Sequence, residues 1–166
     1  MKLNNFFKLI IAISVSELAG IIGSVFTISA IPNWYAGLVK PALNPPAWVF
    51  GPAWTTLYAL MGIAAFLIWR MGWERKDVKM ALGVFGIQLF LNAIWSIIFF
   101  GSTSLTINGF NNIGIAFTEI IFLWFAIVWT TVVFYKISKP AAYLLVPYLL
   151  WVTFASYLNY SIWMLN

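Results

Sequence analysis

Three polar side chains recur at four-residue intervals inside an otherwise apolar segment. Gln88, Asn92 and Ser96 follow the i, i+4, i+8 pattern, which places all three on one face of a helix. Amide and hydroxyl groups in such surroundings either bind polar groups of neighbouring helices or point into a cavity where they contact a ligand. The spacing alone leaves both interpretations open.

Ten tryptophans supply ring surface on which a flat aromatic ligand could stack. Given the apolar spans described below, Trp54, Trp95 and Trp151 are expected at about the depth of Asn92. An apolar pocket lined by aromatic rings with a few amide groups is typical of a small-molecule site. Packing and membrane anchoring are the structural alternative for these rings.

A proline-rich loop precedes Trp48. Residues 32–47 read PNWYAGLVKPALNPPA, and loops longer than ~12–15 residues without regular structure are often functional lids. Its prolines stiffen it, while Trp34 and Tyr35 give it an apolar face. We interpret this first loop as a lid over the pocket. The alternative is an interfacial aromatic belt with a half-helix lying on the membrane.

Two acidic residues, Glu17 and Glu119, fall inside apolar runs. An ionisable group within a membrane span is a functional hypothesis by default. We favour a protonated carboxyl group that is hydrogen-bonded to a neighbouring helix, because no Lys or Arg lies within a span to pair with either acid.

Residue types that the chain lacks exclude several kinds of site. There is no Cys and no His, which removes disulfides, thiolate nucleophiles, Cys/His zinc sites, Ser-His-Asp triads and haem ligation by His or Cys. The net charge of +5 is too thinly spread for a nucleic-acid surface. We therefore expect no metal site, no required cofactor and no nucleic-acid partner.

The composition is that of an integral membrane protein. Hydrophobic residues make up 63% of the 166 residues and charged residues 8%, whereas soluble domains average ~45–50% and ~25%. Five apolar runs are long enough to cross a bilayer as helices: 9–31, 48–69, 80–100, 113–135 and 141–165. The prediction is an all-α, multi-pass bundle forming a single domain over residues 1–166.

Basic residues predict the orientation of this bundle. Eight of the nine Lys and Arg residues fall in the N-terminal tail, the second loop and the fourth loop, and only Lys40 lies on the other side. By the positive-inside rule, the N-terminus is cytoplasmic and the C-terminus lies outside if the membrane is a bacterial plasma membrane.

Small residues recur on the first helix at positions 16, 20 and 24. Ser16, Gly20 and Ser24 form a small-xxx-small row that lets helices approach closely in lipid. We favour packing inside the bundle over a dimer seam.

Several sequence blocks resemble the TspO/MBR family, which comprises the tryptophan-rich sensory proteins and the mitochondrial translocator protein. The blocks read WYxxLxKP at 34–41, PPxWVF at 45–50, AWTxLY at 53–58, QLxxNxxW at 88–95, FFG at 99–101, PYLxWVTxA at 147–155 and LNY at 158–160. The resemblance covers essentially the whole chain.

The resemblance implies a five-helix bundle, a homodimer, and one pocket closed by the first loop. It implies binding of porphyrins, such as protoporphyrin IX and haem, and of benzodiazepine-type ligands. The pocket positions carried over are Tyr35, Pro45, Trp54, Asn92, Ser96, Trp151 and Ala155. The candidate ligand-binding set also includes Trp34, Trp48, Tyr58 and Trp95.

By resemblance, the leading function is a membrane receptor or carrier with a role in tetrapyrrole regulation or transport. A light-dependent porphyrin-degrading enzyme is the alternative, with Trp54, Trp151 and Tyr35 as its catalytic residues. A sterol- or lipid-binding protein or a purely structural role is a further alternative. The family's C-terminal sterol pattern needs Lys or Arg after its tyrosine, whereas Ser-Ile-Trp-Met-Leu-Asn follows Tyr160, which argues against cholesterol.

Overall fold

The chain forms a bundle of five long helices. The computed structural model describes residues 4–101, 106–107 and 109–166. Each of the five helices is long and apolar enough to span a membrane, which confirms the predicted all-α membrane bundle. They are α1 (Asn5–Ala30), α2 (Ala47–Trp69), α3 (Lys76–Ser96), α4 (Asn112–Ile137) and α5 (Lys139–Leu165).

The observed helices extend past the apolar runs by up to four residues. α1 begins at Asn5 because the Asn4 side chain caps it, accepting a hydrogen bond from the Phe6 backbone N–H. α3 begins at Lys76, before the apolar run at 80. Polar residues can occupy the first turn of a membrane helix where it leaves the hydrocarbon layer, so hydropathy alone places these ends too late.

The connection between α3 and α4 contains the only strands in the described ranges. α3 continues into a π-helical turn, Ile97–Gly101. Strands β1 (Thr106–Ile107) and β2 (Phe110–Asn111) then pair antiparallel. Asn111 caps α4 by accepting a hydrogen bond from the Gly114 backbone N–H at 3.0 Å.

Helices α1 and α2 approach each other closely at Gly62. A Cβ atom at this position would lie 2.5 Å from the Cα of Ile13 on α1. Only a glycine permits this backbone approach, which is the use that membrane helices make of small residues. α2 also packs on α5, and α4 packs on both α3 and α5.

The first loop and the end of α5 meet at one end of the bundle. The Asn166 side chain accepts a hydrogen bond from the Val39 backbone N–H and donates one to the Val39 carbonyl, both at 3.0 Å. This contact places the loop between α1 and α2 beside the C-terminal residue, as five spans require.

Candidate functional site

A cavity of about 470 Å³ lies between α1, α2, the C-terminal end of α3 and α5. Its volume falls in the range typical of small-molecule sites. Tyr35 of the first loop closes it at the end where α5 terminates. Its mouth lies along α1 and α2, where lining residues such as Ile28 and Trp48 are 71% and 75% exposed. Because both residues lie in spans, this mouth faces the bilayer.

The cavity brings together eight of the eleven candidate ligand-binding residues. They are Tyr35, Trp48, Trp54, Tyr58, Trp95, Ser96, Trp151 and Ala155. Three candidates, Trp34, Pro45 and Asn92, are not among the lining residues. The candidate residues that line the cavity therefore lie on α2, α3 and α5, and Tyr35 is the one that comes from the first loop.

Trp54 forms the centre of an aromatic wall. Its ring stacks on that of Tyr58, with centroids 5.6 Å apart and 27° between the planes. The Trp151 ring stands perpendicular to Trp54, at 6.3 Å and 85°. These three rings present faces and edges to the same cavity, so a flat ligand can both stack and make edge contacts.

Trp95 and the π-helical turn form a second group of rings. The Trp95 ring stacks on Phe99 at 5.2 Å, and Trp34 meets Phe99 edge-on at 5.6 Å. The indole N–H of Trp95 donates to Asn159 Oδ1 at 3.0 Å, and Asn159 in turn donates to the Ile113 carbonyl at 2.9 Å. Trp34 therefore packs against this second group of rings from outside the cavity.

Asn92 lies in a buried hydrogen-bonded chain next to the cavity. The Tyr58 hydroxyl donates to Asn92 Oδ1, and Asn92 Nδ2 donates to the Tyr148 hydroxyl at 2.9 Å. Asn92 thus links α2, α3 and α5 by hydrogen bonds. This is the interpretation in which the amide binds polar groups of neighbouring helices and does not contact a ligand. Of the predicted polar face of α3, Ser96 alone lines the cavity; Gln88 is fully buried, and neither of its amide atoms has a hydrogen-bond partner in the described structure.

Trp151 carries a hydrogen-bond donor without a partner. Its indole nitrogen is buried and finds no acceptor among the described residues. By contrast, Trp95 is bonded to Asn159, and Trp124 donates to Thr153 Oγ1 at 2.8 Å. Buried donors are almost always paired, so this N–H is an exception within the described structure.

The first loop is held in shape by its own hydrogen bonds. The Tyr35 hydroxyl donates to Asn44 Oδ1 at 2.8 Å. Lys40 Nζ donates to the carbonyls of Ala36 and Leu38 and lies 4.9 Å from the centroid of the Tyr35 ring. Burial raises the pKa of Tyr35 above its ordinary value, so its hydroxyl remains a donor at neutral pH.

The two acids inside the spans have different surroundings. Glu17 lines the cavity and is only partly buried. Both carboxyl oxygens of Glu119 are buried without a partner in the described part of the chain, so the hydrogen bond expected for it is absent there. Across the described residues, no three His, Cys, Asp or Glu side chains group closely enough to hold a metal ion.

Sequence reasoning missed the contribution of α1 to the cavity. Gly20, Gly23 and Ser24 all line it. A Cβ atom on Gly20 would collide with the Tyr58 ring, and one on Gly23 would lie 2.9 Å from Ser96 Oγ. The small-residue row was a visible signal, but it predicts close helix packing, as Gly20 makes with Tyr58, and does not by itself indicate a cavity.

Comparison with known proteins matches nearly the whole chain to one family. Residues 12–164 match the model of the TspO/MBR family. The chain is 43% identical to the tryptophan-rich protein TspO of Chlorobaculum tepidum over 95% of each chain. It is also 43% identical to the tryptophan-rich protein TspO of Archaeoglobus fulgidus, over 98% of this chain and 99% of the relative. Identity to the human translocator protein is 39%, over 89% of this chain and 83% of the relative.

Proposed function

The chain belongs to the TspO/MBR family of integral membrane proteins, and from this premise we propose that its cavity binds porphyrins, such as protoporphyrin IX and haem, and other flat hydrophobic molecules. The aromatic wall of Trp54, Tyr58 and Trp151 is the observation that carries the proposal. Stacked and perpendicular rings around an apolar cavity suit a flat conjugated ligand. The protein then acts as a receptor or carrier in tetrapyrrole regulation or transport.

The residues present determine how such a ligand is held. Because the chain has no His and no Cys, haem iron would find only weaker ligands, such as Met, Tyr or carboxylate groups. Ring stacking and apolar burial therefore supply most of the affinity. Lys40 is a candidate partner for the propionates, although it does not line the cavity and would have to turn from the loop carbonyls.

Orientation and assembly complete the proposal. The distribution of Lys and Arg supports a cytoplasmic N-terminus and an outward C-terminus. The cavity then lies in the outer half of the membrane, beneath the first loop. The homodimer rests on the family resemblance, and the missing basic residue after Tyr160 argues against cholesterol as a ligand.

Light-dependent degradation of the porphyrin is the second candidate function. Trp54 and Trp151 are in ring contact with each other, and both line the cavity. Two indoles beside an excited porphyrin are suitable electron donors. Tyr35 also lines the cavity, with its hydroxyl committed to Asn44.

A porphyrin titration tests the proposed function. Protoporphyrin IX is added to the purified protein in a neutral detergent, and quenching of tryptophan fluorescence is followed to saturation. Trp54→Ala should weaken binding by about tenfold, since the loss of a stacked ring of this size is worth at least ~1.4 kcal/mol. Trp124→Ala is the matched control, because Trp124 does not line the cavity. Absence of saturable binding, or equal losses in the two variants, would refute the proposal.

A further inference from the structure

Glu17 is the only charged residue among the described residues that line the cavity. It lies on the α1 face that also provides Gly20, Ser24 and Ile31. Glu17 and Ile31 are separated by about 21 Å along the helix at the standard rise per residue. The carboxyl group therefore marks the end of the cavity that lies farthest from the first loop.

No basic side chain of the described structure neutralises this carboxyl group. The one salt bridge in those ranges joins Arg75, the residue before α3, to Asp77 in the first turn of α3, at 2.6 Å. An unpaired carboxylate within a membrane is strongly unfavourable. It must take up a proton or meet a cation, and in this chain a cation would have to come from outside the protein.

The aromatic wall beside Glu17 also favours positive charge. Glu17 lines the same cavity as Tyr58 and Trp54, and the Tyr58 ring stacks on Trp54. Faces of tyrosine and tryptophan rings attract cations, most strongly where water is excluded. A carboxylate and the aromatic rings of the cavity wall thus act in the same direction, and among the described residues no Lys or Arg lines the cavity to oppose them.

We propose that Glu17 makes the inner end of the cavity a binding site for the cationic part of a flat aromatic ligand, such as a quaternised or protonated nitrogen heterocycle. The inference rests on the proposed function, because it requires a cavity that accepts flat ligands. It also predicts how a ligand is oriented in that cavity. A ligand that carries carboxylates places them toward the first loop, where Lys40 lies, and its positive or N–H-bearing part toward Glu17.

Two probes of the same shape separate charge from ring burial. N-methylacridinium and 9-methylanthracene have the same three-ring outline and differ in charge. Binding of each is measured by tryptophan fluorescence quenching in a neutral detergent at low salt. The readout is the ratio of the two dissociation constants, compared between variants, so that partition of each probe into micelles cancels.

Glu17→Gln should weaken the binding of N-methylacridinium relative to that of 9-methylanthracene, so that the ratio of the two dissociation constants changes by at least tenfold. Glu17→Asp keeps the charge and should retain most of the preference. Glu119→Gln is the matched control, because it removes an acid that lies within a span but outside the cavity, and the ratio should stay as in the unmodified chain. A ratio that is unchanged in Glu17→Gln, or changed equally in Glu119→Gln, overturns the inference.

Protoporphyrin IX distinguishes this inference from the proposed function. If protoporphyrin IX and 9-methylanthracene bind the unmodified protein but the ratio does not depend on Glu17, then the charge inference alone fails. If neither protoporphyrin IX nor either three-ring probe binds saturably, the cavity accepts no flat ligand, and both proposals fail.

Discussion

Tyr58 on α2 and Tyr148 on α5 are linked through one side-chain amide. Asn92 accepts a hydrogen bond from the first hydroxyl and donates one to the second, and all three groups are buried. Tyr58 also lines the cavity, and its ring supports Trp54. The amide therefore fixes the back of the aromatic wall, and it ties three helices together at one point.

Asn92→Leu should destabilise the protein because it leaves two buried tyrosine hydroxyls unpaired. We expect a loss of ~1–3 kcal/mol in the free energy of unfolding, measured by thermal or denaturant unfolding in detergent. The same substitution in a Tyr58→Phe, Tyr148→Phe background should be far less damaging, since no hydroxyl is then left without a partner. Equal losses in both backgrounds would show that the chain of hydrogen bonds contributes nothing.

Gly62→Ala should separate α1 from α2. The added methyl group would collide with the backbone of α1 at Ile13, and backbone cannot move aside as a flexible side chain can. We expect a destabilisation of ~1–3 kcal/mol, as for other overpacked sites. Gly86→Ala is the control, because a Cβ atom at Gly86 meets nothing within 4 Å. It should be neutral or slightly stabilising, since alanine is the better helix former.

Trp54→Phe combined with Trp151→Phe should separate binding from photochemistry. Phenylalanine keeps a ring face for stacking, so much of the affinity for protoporphyrin IX should remain. Any light-driven loss of the porphyrin absorption should disappear, because phenylalanine is a far poorer electron donor than indole. Photodegradation that persists in this double variant would remove both tryptophans from the enzymatic hypothesis.

Haem and metal-free protoporphyrin IX should bind with similar affinity. The chain provides neither His nor Cys as an axial ligand, so the iron adds little to binding. Absorption spectroscopy of the ferric haem complex should show no histidine- or thiolate-ligated spectrum. A haem affinity orders of magnitude above that of the metal-free ring would instead point to an axial ligand from Met, Tyr or a carboxylate.

The five helices could be predicted from the sequence because backbone groups inside a bilayer find no water to bind. An apolar run of about 20 residues must satisfy its own hydrogen bonds as a helix. The helix neighbours could not be predicted in this way, since they depend on contacts such as the approach of Gly62 to Ile13. For that reason the sequence pattern placed Asn92 and Ser96 on one face but could not tell that only Ser96 lines the cavity.

The aromatic part of the site was easier to predict than its α1 wall. Trp54, Trp95 and Trp151 could be singled out from the sequence because they are large aromatic residues inside apolar spans. Gly20 and Gly23 have no side chains to reveal a function, and their importance lies in the space they leave for Tyr58 and Ser96. Glu17 was visible as an intramembrane acid, but its position on the cavity wall depends on how α1 is rotated in the bundle.

The side-chain amide of Asn166 connects the first loop to α5, so we expect it to influence how fast a ligand leaves the cavity. Its paired hydrogen bonds to Val39, with a further one from Nδ2 to the Ile162 carbonyl at 2.8 Å, fasten the first loop to α5. A purification tag or reporter attached directly after Asn166 would pull on that fastening. Ligand residence time, measured by stopped-flow dissociation, is then the quantity that such a fusion alters first, so tags for binding work belong at the N-terminus.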